Sequence, residues 1–222
     1  AADALRRSIA AASQVWSSAE ATSFASALMA RSTYAGGGTA ADSELVGLGF
    51  LFGDAEHHPV SAALTVAVAD LIDTRDRIGG PREEGLTNLP LTFLLHELAH
   101  LDGAVGDLSV GQVLDPMSQV LETLATYPDA AWDWLQGGAG LVGATGVEAL
   151  DRVDFWFSRD WSSDGWQGIG ALLNGSMTHA GGLVTGPPGT AEWAAHCDAV
   201  ARMIDGLAAG FAGVDPGAVS DE

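Results

Sequence analysis

The residues best suited to chemistry are His96-Glu97-Leu98-Ala99-His100, two imidazoles four positions apart with a carboxylate beside the first. On a helix such residues share a face, so both rings can converge on one divalent ion while Glu97 takes a proton from metal-bound water. That chemistry is metal-assisted hydrolysis, and zinc is the ion this ligand set suits. Catalytic zinc needs a third protein ligand and keeps its fourth position for water. Two carboxylates are candidates. In the pattern H-E-x-x-H-x-x-G-x-x-H/D, Gly103 stands at the turn glycine, Gly106 takes the ligand position and Asp107 follows one residue late. Glu122, 22 residues after His100, has the spacing of a ligand supplied by a second helix.

The element that must position these groups runs from Leu91 to about Val105. Leu91, Leu94, Leu95, Leu98, Leu101 and Val105 recur at helical spacing, so the stretch is expected to be a central amphipathic helix that starts after Pro90. His96, Glu97 and His100 fall on its other side. A metal site and an ordinary solvated face both meet that condition. The motif resembles that of H-E-x-x-H zinc metallopeptidases, with Asp107 in the metzincin manner or Glu122 in the gluzincin manner. This resemblance implies His96 and His100 as ligands and Glu97 as the catalytic base.

Other reactive residue types are few. Cys197 is the single cysteine, which excludes an internal disulfide and a cysteine-cluster metal site. Its neighbour His196 points elsewhere on a helix, so the two make no nucleophile and base, and Cys197 reads as a buried structural residue. His57 and His58 fall in a polar break before Pro59 and read as exposed loop residues. The glycine-rich stretch from Gly137 to Gly146 has neither the spacing nor the lysine of a phosphate loop, and no nucleophile elbow occurs.

The scaffold reads as helices throughout, with no clean strand alternation. Ala2 to Ala30 holds no Pro or Gly and predicts one long helix or two sharing a bend. A short apolar helix follows through Leu45 to Phe52. Ser61 to Arg77 carries Leu64, Val68, Leu71 and Ile72 on one stripe and stops at Gly79-Gly80-Pro81. Asp115 and Pro116 open a helix whose stripe is Met117, Val120, Leu121 and Leu124, expected to pack on the Leu91 to Val105 helix. Pro128 restarts the chain as a short helix with Trp132, Trp134 and Leu135. Helices over Val147 to Ser158 and Trp166 to Met177 are expected to cluster Trp156, Trp161 and Trp166. Thr190 to Phe211 closes the chain with Trp193, Cys197, Val200, Met203, Ile204 and Leu207 as its apolar positions. The expected fold class is all-α, a single multi-helix globular domain over residues 1–222 with about eight or nine helices.

Composition bounds the function. The 222 residues include 47% hydrophobic side chains, enough for one buried core. No apolar run is long enough to span a bilayer. The net charge of -20, with nine basic residues that are all Arg, repels phosphate backbones and anionic headgroups, so nucleic acid and membrane surfaces are poor partners. Such an acidic, Lys-free, Ala- and Gly-rich chain suits a high-GC actinobacterium or a halophile. No charged n-region and apolar h-region follow Ala1, so a signal peptide is expected to be absent or already removed, and Ala1 in place of Met suggests a fragment or a processed chain.

A second resemblance rests on longer stretches. Asp115-Pro116-Met117, Val120-Leu121-Glu122-Thr123-Leu124 and Tyr127-Pro128-Asp129-Ala130-Ala131, followed by Trp134-Leu135, resemble the "DPM…LLEAL…NPEAA…FL" signature of an alanine-rich helical domain. That domain occurs in long actinobacterial proteins of the secreted WXG-type polymorphic-toxin class. Arg152-Val153-Asp154-Phe155-Trp156-Phe157-Ser158-Arg159-Asp160-Trp161 is similar to its "RVDYLLxxRDW" segment, and Gly168-Ile169-Gly170-Ala171-Leu172-Leu173 more loosely to "LGDALEAAT". The match runs over residues 91–178. It implies a non-enzymatic helical module, secreted or on the cell surface, whose partners are other domains of the same long chain or a separate protein. It also implies a plain helix at Leu91 to Val105, Glu122 as an ordinary signature residue, and no cofactor. In a bacterial chain the Asn174-Gly175-Ser176 sequon carries no glycosylation. The module is the preferred reading, and the zinc metallopeptidase is the alternative.

Overall fold

The computed structural model describes residues 2–32, 51–53, 55–79, 116–138, 141, 151–159, 161, 167–183 and 188–212. Among these the architecture is all-α, with eight helices: α1 (Ala2–Ser13), α2 (Ser18–Ser32), α3 (Ala62–Gly79), α4 (Pro116–Ala125), α5 (Pro128–Gln136), α6 (Arg152–Ser158), α7 (Gln167–Leu183) and α8 (Ala191–Ala212). None of them is long and apolar enough to cross a membrane. The Leu91 to Val105 stretch lies outside the described residues, and so does its expected packing against α4.

The Ala-rich N-terminal stretch forms two helices because Ser17 and Glu20 build a capping box between them. The Ser17 N–H and hydroxyl both donate to Glu20 Oε2, at 2.8 and 2.7 Å, and the Glu20 N–H returns to Ser17 Oγ at 3.3 Å. These bonds hold the Glu20 carboxyl below its ordinary value of 4.5. A second relay fixes α1 to α3. The Ser61 N–H donates to buried Ser13 Oγ at 2.8 Å, and the Ser13 hydroxyl donates to the Ala10 carbonyl.

Helix α3 is buried along two lines. Leu64, Val68 and Ile72 form the expected apolar one, while Thr65, Ala69, Asp73 and Arg77, each four residues after the last, form a second that is equally inaccessible. A helix with two such lines must sit between neighbours, and α3 packs on α2 as well as on α4 and α5.

Helix α4 holds the centre. Met117, Val120, Leu121 and Leu124 are buried as the stripe predicts, but so are Ser118, Gln119 and Thr123. Its closest partner is α7, approached through glycines: a Cβ on Gly168 would fall 2.6 Å from Ser118 Cα, and one on Gly175 would fall 2.6 Å from the Ala125 carbonyl oxygen. Both contacts advance seven residues in the same direction, so the two helices run parallel with backbones touching. Buried Leu51 and Phe52 join the same core, with the Thr123 hydroxyl donating to the Phe52 carbonyl at 3.1 Å.

Three expectations, the start of α6, the burial of Cys197 and the apolar face of α8, need correction. Helix α6 begins at Arg152 rather than Val147, because Asp151 is an extended N-cap whose side chain accepts the Val153 N–H. Cys197 is half-buried rather than buried, and Ile204 on α8 is 53% exposed, so only part of that helix's apolar set faces the core. Trp156 and Trp161 do pair, at 5.8 Å between centroids; Trp134 is their described companion, 6.4 Å from Trp156, and Trp166 lies outside the described residues.

Candidate functional site: a buried carboxylate hub

The densest grouping of ionisable side chains among the described residues centres on Asp73 in α3, whose side chain has no exposure to solvent. Arg77, one turn on, grips it with both arms of its fork, Nε to Oδ1 at 2.7 Å and Nη2 to Oδ2 at 2.6 Å. Arg152, the first residue of α6, donates from Nε to Oδ2 at 2.9 Å. The indole N–H of Trp156 reaches Oδ1 at 2.7 Å. Each oxygen therefore accepts at least two donors, which uses the capacity of an ionised carboxylate.

Arg152 ties the hub to the rest of the fold. Its Nη2 donates to half-exposed Asp70 at 2.8 Å, which balances two guanidiniums with two carboxylates. Its Nη1 donates to the Trp134 carbonyl at the end of α5, which also accepts the Gly137 N–H. A cation at that helix end meets the negative pole of the dipole. The guanidinium carbon lies 4.3 Å from the Trp134 ring centroid, a cation–π contact in a dry site.

The backbone after α5 has to pass over both arginines. Gly138 sits at φ +76°, and a Cβ there would come within 2.7 Å of Arg152 Nε and Nη2 and closer still to Arg77 Nη2. Only glycine fits both the conformation and the contact. Gly137 and Gly138, the first residues of the stretch that sequence alone assigns to a loop, thus roof the hub.

An arrangement of this kind holds three elements together; it does not offer a group for catalysis. Asp73 has no lone pair left for a substrate proton, and both guanidiniums are committed to internal acceptors. Taking one partner out of a buried, hydrogen-bonded ion cluster costs about 3–5 kcal/mol, because the remaining charge is left in a poor solvent.

The segment that carries the longer resemblance is built around the same hub. Arg152 and Trp156 bind Asp73 directly, while Val153, Phe155 and Phe157 are buried and Asp154 points out. Arg159 lies over the rings of Trp156 and Trp161, at 5.3 and 4.7 Å, and the indole N–H of Trp161 donates to the Trp156 carbonyl at 2.8 Å. The chain matches no family model, no curated protein and no solved structure.

Of the residues proposed for metal chemistry, Glu122 alone falls among the described residues. His96, Glu97, His100 and Asp107 lie outside the described residues. Glu122 is half-buried on α4. Among the described residues no three His, Cys, Asp or Glu side chains are grouped to hold an ion. His57 and His58 are exposed in the turn before Pro59. His179 on α7 instead pairs with Asp129 in the first turn of α5, Nδ1 to Oδ1 at 2.6 Å, with its ring 6.0 Å from that of Trp132.

Sequence reasoning passed over Asp73, Arg77 and Arg152. A signal was present: Asp73 and Arg77 have the i, i+4 spacing of a helical ion pair, in a chain with only nine basic residues. What no local pattern conveys is that an arginine 79 residues downstream completes the cluster.

Proposed function

We propose that this chain is a non-enzymatic helical module of a large secreted actinobacterial protein of the polymorphic-toxin type, one that carries, spaces or presents another domain. The observation that supports it is the use made of the resembling segment: Arg152 and Trp156 bind Asp73, Trp161 donates to Trp156, and Arg159 lies over both indole rings. Residues that give a family its signature by holding a fold suit a scaffold. Its partners are then other domains of the same chain or a separate protein, and its acidic surface disfavours nucleic acid.

The test sets this reading against zinc-dependent peptide hydrolysis by His96, Glu97 and His100. The purified chain is dialysed, its zinc is measured by elemental analysis, and hydrolysis of a generic peptide mixture is followed with and without chelator. The module reading expects no stoichiometric zinc, no chelator-sensitive hydrolysis and an unchanged melting temperature on chelation. About one zinc per chain, with hydrolysis lost in Glu97→Gln while the metal stays bound, would replace it with the peptidase.

A further inference from the structure

No further inference is drawn: the strongest candidate, the cleft of about 380 Å³ between the end of α5, the start of α6 and α8, presents Asp151, Asp154 and Asp205 beside an Arg202 that already donates to Gln136, and none of the buried unpartnered polar atoms among the described residues belongs to a residue lining it, so nothing shows what it would hold.

Discussion

The hub around Asp73 and the seam between α4 and α7 are both buried and both contain polar atoms, yet they treat those atoms in opposite ways. At the hub every oxygen of the carboxylate is engaged, and the donors come from α3 and α6. At the seam Ser118 Oγ is buried without a hydrogen-bond partner, as is Ser176 Oγ next to Gly175, while glycines bring the backbones together. A lone hydroxyl can be left unpaired at a cost on the order of 1–3 kcal/mol, whereas an unpaired buried charge costs more. The seam accepts the smaller penalty in return for close helix packing; the hub, which holds full charges, must satisfy every one. The hub therefore depends on side-chain chemistry and the seam on side-chain size.

The largest expected effects fall on the hub. Arg152→Ala strips Asp73 of one donor, Asp70 of its cation and the Trp134 carbonyl of one of its two bonds, and is expected to lower stability by about 3–5 kcal/mol. Trp161→Ala, which empties a fully buried site beneath Arg159, is expected to cost a similar amount, about 3–5 kcal/mol. Urea unfolding reads both, and an unchanged midpoint for Trp161→Ala would make that residue a surface anchor instead.

The seam responds to volume. Gly175→Ala puts a methyl group against the Ala125 carbonyl and must push two parallel helices apart, at a cost of about 1–3 kcal/mol. Ser176→Ala removes an unpartnered hydroxyl from the adjacent position and is expected to raise stability by about 1 kcal/mol. If Ser176→Ala proved as harmful as Gly175→Ala, the contrast between the two regions would collapse.

The smallest effect lies away from both regions, at the Ser17 and Glu20 cap. The folded carboxyl of Glu20 is held below 4.5, so its contribution is full above that value and fades as pH falls through the lowered one. A pH series comparing the parent with Glu20→Gln is expected to show curves that separate at neutral pH and converge in acid. Curves that stay parallel to the acid end would remove the capping box from the account.

Helices were legible where punctuation is local. Pro116 and Pro128 stand at the first positions of α4 and α5, Thr190 caps α8, and the leucine stripe of α3 ends at Gly79 as its sequence suggests. The break after Ser13 stayed open between one helix and two, because a helix-rich composition conceals the capping pattern of Ser17-Ser18-Ala19-Glu20. The start of α6 was misplaced because Asp151 can continue a helix or cap one, and its bond to the Val153 N–H decides for the cap. The hub was not legible at all as a unit: Thr65, Ala69, Asp73 and Arg77 look like the solvated side of an amphipathic helix until α4, α5 and α6 are packed around it. The His96 and His100 motif, by contrast, is plain in sequence and lies outside the described residues.

A double-mutant cycle between Asp73 and Arg152 tests most directly whether these charges exist to hold the fold. Asp73→Ala, Arg152→Ala and the double variant are unfolded in urea alongside the parent, at low and at raised salt. The account predicts that the double variant loses much less than the two single losses combined, with a coupling on the order of 1–3 kcal/mol that salt barely changes, as expected for a buried pair. Losses that add to within about 0.5 kcal/mol would contradict it, because independent residues add in that way.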